Sequence, residues 1–247
     1  MKILISNGID KLSQNIGKHL SQKHEIQYFE DPSKKESLKD FNEIILTPLD
    51  SSKKTNKIIK NSDIIIYQGL VEDNKTPNDL NNHVQKSYNL LSAAIETGIT
   101  NFILISSLEL IKSYDDSNTV TETWKSTPST EIPFLSGHLT EIIFKEFSRT
   151  FPINVAVLRL GYPIAYMDSD KGGGIISSVK IKEVLISIER IISLKNPKKW
   201  DIFHLQSDVK SKKFLTKKTN EILGVPIDKR ETKNEPFYNP KLGVSEK

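Results

Sequence analysis

The stretch Met1–Ile26, MKILISNGIDKLSQNIGKHLSQKHEI, decides how the chain is read. Ile3, Leu4 and Ile5 form a short apolar run, and Ser6-Asn7-Gly8 is a turn signal. Apolar residues then recur at Ile9, Leu12, Ile16 and Leu20, which is helical spacing. A second apolar run, Ile26 to Phe29, follows. Strand, tight turn, a helix of about three turns and strand make a βαβ unit, the opening of a doubly wound sheet.

Outward from this unit the alternation continues. Glu43 to Leu46 reads as a third strand, and the polar stretch Pro48 to Ser62 as a helix or loop packed on the sheet. Asp63-Ile64-Ile65-Ile66-Tyr67 is continuous and apolar, as in a parallel strand buried on both faces. Leu80, Val84, Tyr88, Leu91 and Ile95 mark an amphipathic helix over Asn78–Gly98, stopped by its glycine. Phe102 to Ile105 is the next strand and ends in Ser106-Ser107. Leu108 to Pro133 is polar, irregular and long enough for a functional loop. A helix over Phe134–Phe151 carries Leu139, Ile142, Ile143 and Phe147 on one face, and Ile153 to Leu160 is a strand. A glycine-rich loop, Asp168 to Gly174, leads to a helix over Ile175–Leu194, a strand at Ile202–Leu205 and a helix over Phe214–Leu223. The expectation is one Rossmann-like α/β domain over 1–224, with a mainly parallel sheet, helices on both faces and a loosely held polar tail at 225–247.

Composition narrows the function classes. The 247 residues carry 35 Lys and Arg against 31 Asp and Glu, a formal net charge of +4. Lysines crowd the later part, at 195, 198, 199, 210, 212, 213, 217 and 218, but no aromatic residues alternate with them as a single-strand nucleic-acid platform requires. They read as solvated surface, not as a nucleic-acid patch. The absence of cysteine excludes disulfides and thiolate metal sites, and the five histidines show no metal-ligand spacing, so no metal is expected. No apolar segment reaches the roughly 20 residues that span a bilayer. The chain enters a strand at once, leaving no room for a signal peptide, so a cytoplasmic protein is expected.

The order and spacing of these pieces resemble the extended short-chain dehydrogenase/reductases, the NAD-dependent epimerase/dehydratase group that acts on sugars and nucleotide-sugars. The resemblance runs from Lys2 to about Gly224. Asp63 to Gly69 is similar to the strand lining the nicotinamide side, and Tyr88 to Ala94 with Gly98 to Ser107 to the helix and strand that lead to the catalytic serine. Leu158-Arg159-Leu160-Gly161 resembles the strand before the substrate loop, and Trp200–Leu205 with Asn220–Gly224 the closing strand and helix. The resemblance implies a reduced substrate-side lobe built from about residue 160 to 224.

It also implies a site, and there this chain departs from the pattern. The group's first turn reads Gly-x-x-Gly-x-x-Gly so that backbone can approach a diphosphate at the helix N-terminus. Laid on this chain without gaps, those positions fall on Asn7, Asp10 and Ser13, with Gly8 one position off. An insertion would bring Gly17 into the third position but would cut a turn from the helix, so the ungapped reading is adopted. Asp10 sets a carboxylate where the helix should meet an anion, and Asp10 or Ser13 is also a natural helix cap. NAD is the implied cofactor, with Glu30 or Asp31 placed to accept an adenosine ribose hydroxyl and Gly69 beside the nicotinamide.

For catalysis the resemblance implies a serine with Tyr-x-x-x-Lys on the next helix. Ser107 fills the serine position, Phe134 stands at the tyrosine and His138 at the lysine. Phenylalanine has no proton to transfer, and histidine lacks the reach and permanent charge of lysine. His83 stands where the group commonly has asparagine. Tyr114, Tyr162, Tyr166 and Glu122, the last in the same loop as Trp124, are the candidates for a replacement acid. Three readings follow: a catalytically impaired relative keeping the cleft for a ligand or partner, an active sugar or nucleotide-sugar oxidoreductase or epimerase with a rewired site, and a scaffold subunit. The resemblance implies a homodimer or heterodimer through the helices at 78–98 and 134–151.

Overall fold

Strands form where short runs of Ile, Leu, Val and Phe occur, and helices where apolar residues recur every three or four positions. The computed structural model describes residues 1–38, 44–51, 53–71, 75–163, 178–206 and 213–225. In chain order its elements are β1 (Lys2–Ile5), α1 (Lys11–Leu20), β2 (Glu25–Glu30), β3 (Ile44–Leu46), α2 (Lys53–Ile59), β4 (Ile64–Gln68), α3 (Pro77–Thr97), β5 (Asn101–Ser107), α4 (Ile132–Thr150), β6 (Asn154–Leu160), β7 (Tyr162–Pro163), β8 (Ser178–Val179), α5 (Ile181–Ile192), β9 (Trp200–Leu205) and α6 (Lys217–Leu223). Short 3₁₀ turns occupy Pro32–Leu38 and Leu108–Ile111.

Seven strands form one sheet in the order β3-β2-β1-β4-β5-β6-β9, every pairing parallel. This is a Rossmann-type doubly wound order, extended by β9. Side chains alternate between two buried faces. Ile3, Ile5, Ile64, Ile66, Ile103 and Ile105 pack under α1 and α5 on one face, and Leu4, Ile65, Phe102 and Leu104 pack against α3 and α4 on the other. α3 shows why the sequence commits to a helix: Thr76 and Asp79 cap each other, Pro77 opens the first turn and Gly98 ends it at φ 78°, a conformation glycine adopts without strain.

Several boundaries differ from the sequence reading. The helix expected from Ile175 begins at Ile181, after the short β8. The helix expected from Phe214 begins at Lys217, because Phe214 is held in a bridge to Val120. The 108–133 stretch is therefore tied down, over a small apolar cluster of Leu108, Ile111, Val120 and Phe214. Of the segment after residue 160, α5, β9 and α6 complete the main sheet and its flanking layer, while β7 and β8 pair beside it. The lysine-rich later part is not uniformly solvated. Lys213 is 2% exposed, and its ammonium donates to the carbonyls of Lys112 and Tyr114 and to Asp116.

α4 carries a further difference. It buries Ser136, Gly137, Thr140, Glu141, Phe144 and Ser148. The apolar stripe picked out by spacing lies to the side, with Ile142 43% exposed. Small residues let α4 lie close to its neighbours, and Phe147 on the outer flank meets Tyr88 of α3 edge-on. The polar tail expected at 225–247 lies, from residue 226 on, outside the described residues.

Candidate functional site

In an open parallel sheet the ligand crevice lies beyond the carboxyl ends of the strands, where the strand order reverses. Here that point is between β1 and β4. A cleft of about 1240 Å³ opens there, above the roughly 300–1,000 Å³ of most small-molecule sites. Its walls come from the turn after β1, the ends of β2, β4 and β5, the first half of α3 and the start of α4.

The first turn is built without the expected glycines. Asn7 adopts φ 52°, the left-handed conformation that asparagine tolerates better than most residues. Gly8 donates its backbone N–H to Phe29 O at 3.1 Å. Asp10 caps α1, its Oδ1 accepting from the backbone N–H groups of Leu12 at 2.9 Å and Ser13 at 3.2 Å. The same oxygen accepts from Gln68 Nε2 at 2.7 Å, and Gln68 also donates to Ser13 Oγ at 2.8 Å. Ser13 Oγ in turn donates to Ser6 O at 2.7 Å, and the Gln68 backbone N–H donates to Ser6 Oγ at 2.8 Å. Gln68, at the end of β4, therefore ties the turn to the sheet. Gly17 lies a full turn further into α1, where a Cβ would fall 1.8 Å from the Tyr28 hydroxyl. Its hydrogen is required by Tyr28 and has no part in the turn.

The acids at the end of β2 are likewise engaged. Glu30 is buried and accepts from the backbone N–H groups of Asp31 at 2.9 Å and Ile9 at 3.4 Å; burial pushes its carboxyl above the usual range. Burial would also raise Asp31, but hydrogen bonds from Lys86 and Ser33 outweigh it and hold that carboxyl low. Gly69 donates to Ile105 O at 2.8 Å, and its own carbonyl receives His83 Nε2 at 3.0 Å. Burial lowers His83 to about 4.

At the other end, Ser107 and Phe134 both line the cleft. Ser107 Oγ accepts from the Glu109 backbone N–H at 3.1 Å and caps the short 3₁₀ turn. His138 does not line the cleft, and its Nδ1 lies 2.7 Å from Ser126 Oγ. Its neighbour Gly137 packs against Leu70, which lines the cleft; a Cβ there would meet Leu70 at 3.3 Å. His138, expected at the ribose-binding lysine position, thus has its Nδ1 engaged with the 108–133 stretch. Among the replacement acids, Tyr114 donates its hydroxyl to Lys125 O at 2.9 Å and packs on Trp124, and burial raises Glu122. Neither Tyr114 nor Glu122 lines the cleft. The Tyr162 side chain, Tyr166 and the glycines at 172–174 lie outside the described residues.

Sequence reasoning missed a row of polar residues across the sheet. Ser106, Arg159 and His204 stand in register on β5, β6 and β9. Glu141 of α4 accepts from Ser106 Oγ at 2.6 Å and takes a two-pronged pair from Arg159, at 3.0 and 2.7 Å. Arg159 and Glu141 are 3% and 4% exposed. The only signal was an arginine inside an otherwise apolar strand run. Among the described residues no cluster of His, Asp or Glu is arranged to hold a metal ion, and no helix is long and apolar enough to cross a membrane.

No protein-family model and no curated protein sequence matches the chain. Solved structures do. Glucuronic acid dehydrogenase from Chromohalobacter salexigens superposes with a TM-score of 0.75 at 17% identity, over 91% of this chain and 83% of that one. UDP-N-acetylglucosamine 4-epimerase from Bacillus cereus gives 0.74 at 14% identity, over 92% and 94%. UDP-glucuronic acid 4-epimerase from Bacillus cereus, in complex with NAD, gives 0.69 at 13%, over 91% of each. With the parallel sheet and its strand order, these likenesses establish that the chain has the fold of the extended short-chain dehydrogenase/reductases of NAD-dependent epimerase/dehydratase type.

Proposed function

We propose that the protein is a divergent member of the NAD-dependent epimerase/dehydratase group that no longer carries out hydride transfer and keeps its cleft for another ligand. The observation that carries this reading is the Asp10 carboxylate on the amides at the N-terminus of α1. Those amides are what a dinucleotide's diphosphate would use. A phosphate oxygen about 4 Å from the carboxylate would be repelled by about 1–4 kcal/mol, depending on screening. At the ribose-binding position Asp31 is paired with Lys86 and Glu30 accepts from backbone amides, so both acids already serve the protein's own contacts. With Asp10 on those amides the residues present do not fit NAD, and Phe134 has no proton to give for hydride transfer.

The test is turnover. Purified protein incubated with NAD or NADP and a panel of uronates, neutral sugars and UDP-sugars is expected to show no reduced nucleotide and no epimerised sugar above background. Turnover that disappears in Ser107→Ala would contradict the reading and favour the rewired enzyme.

One observation favours a partner as well. Tyr88 of α3 and Ile142 of α4 are 55% and 43% exposed, beside the Tyr88–Phe147 contact. This outer apolar face suits pairing with a second copy or a homologue, and sedimentation of Tyr88→Glu, Ile142→Glu against wild type is expected to show the loss of a dimer. A monomeric wild type would contradict it.

A further inference from the structure

His83 on α3 lines the cleft and is 8% exposed. Its Nε2 stands 3.0 Å from the Gly69 carbonyl oxygen. A carbonyl only accepts, so Nε2 carries the ring proton. Burial keeps the ring neutral at physiological pH, with its value near 4. Nδ1 is then a bare acceptor, and among the described residues it has no hydrogen-bond partner; the ring also stacks on Tyr67 at 5.9 Å. A neutral acceptor held in one tautomer at a cleft wall is suited to a hydroxyl or amine donor and unsuited to a phosphate oxygen.

The charge of the cleft points the same way. Six of its lining residues are acidic and four are lysines, in a chain whose formal net charge is +4. Two of those lysines are already paired, Lys86 with Asp31 and Lys112 with Glu109. The amides at the start of α1, which would otherwise gather an anion, are taken by Asp10.

We propose that the cleft binds a phosphate-free ligand bearing hydroxyl or amine donors, one of which bonds His83 Nδ1, and that Asp10 excludes diphosphates from it. This rests on the reading that the cleft is kept for a ligand. Phe29, Leu49 and Leu70 supply apolar wall for the rest of such a molecule.

Calorimetry on the full chain tests it, with the four ribonucleosides, glucose and glucosamine as phosphate-free probes and ADP-ribose as the diphosphate. Asp10→Ser keeps an oxygen to cap α1 while removing the charge. His83→Phe keeps a ring on Tyr67 while removing Nδ1, and a melting curve checks that each variant is folded. Wild type is expected to bind at least one phosphate-free probe, and to bind ADP-ribose at least tenfold more weakly than that probe. Asp10→Ser is expected to narrow that gap at least tenfold, and His83→Phe to weaken the phosphate-free probe at least tenfold. Wild type binding ADP-ribose as tightly as the best probe, or a preference unchanged in Asp10→Ser, would overturn the proposal while leaving a ligand-binding cleft intact. If no probe binds wild type or variant, the reading of the cleft itself fails and takes the proposal with it.

Discussion

Two buried polar clusters lie at the carboxyl ends of the strands, and they are finished differently. Beside β1 and β4, Asp10, Ser13, Ser6 and Gln68 close a cluster of hydrogen bonds that Asn7 joins through Gln68 Oε1. Beside β5, β6 and β9, Glu141 takes Ser106 and Arg159, yet Arg159 Nη1 and Gln206 Oε1 are buried with no partner among the described residues. A buried polar group left without a partner costs about 1–3 kcal/mol. The first cluster fastens the turn after β1 to the sheet. The second leaves buried polar atoms unpartnered beside a buried ion pair.

The sharpest way to break this contrast is Glu141→Ala. It leaves the Arg159 guanidinium buried and unpaired, and chemical denaturation is expected to show a loss of about 3–5 kcal/mol. A loss under about 1 kcal/mol would mean that the two clusters do not differ in what they hold.

Acid sharpens the contrast next. Burial, then the nearby Arg159, lowers His204 to about 3, and burial lowers His83 to about 4. Both lie below the value of about 6.5 in an unfolded chain, so between these values the unfolded state binds more protons. Stability is therefore complete above about pH 6.5 and falls as pH drops toward 4, by at most about 1.4 kcal/mol per pH unit for each histidine. Glu30 and Glu122, raised by burial, act in the opposite sense, so the measurement is the difference between wild type and a variant. His204→Leu is expected to flatten the slope of stability against pH. An unchanged slope would show that His204 is not held neutral.

The smallest effect is expected in the closed cluster. Asp10→Ala removes a helix cap at about 1 kcal/mol, while Asp10→Ser stays within a few tenths of wild type. A much larger loss in Asp10→Ser would show that the carboxylate's charge, and not its capping oxygen, stabilises the turn.

The strands were legible because uninterrupted apolar runs such as Ile64-Ile65-Ile66 have few other uses, and α3 because its cap, periodicity and terminal glycine agree. The site was legible only as substitutions: spacing placed Asn7, Asp10, Ser13 and Phe134 at motif positions, and the structure puts Asn7, Asp10 and Phe134 on the cleft wall. Gln68 was invisible as the tie on Asp10 and Ser13, because those partners lie more than 50 residues away in sequence. Glu141 was hidden by its neighbours. Leu139, Ile142 and Ile143 drew the eye to one stripe of α4, while the small and polar face went against the sheet. Periodicity shows that a helix has two faces, and packing decides which one is buried.

The central claim is that the dinucleotide site has been closed, and a thermal-shift titration with NAD, NADH, NADP and NADPH tests it most directly. The prediction is no saturable shift up to millimolar nucleotide. A ligand at one hundred times its dissociation constant adds about 2.7 kcal/mol, or about 2–4 °C for a chain of this size. A saturable rise of that order with NAD or NADH would contradict the account, because the Asp10 turn would then have to open to admit the diphosphate.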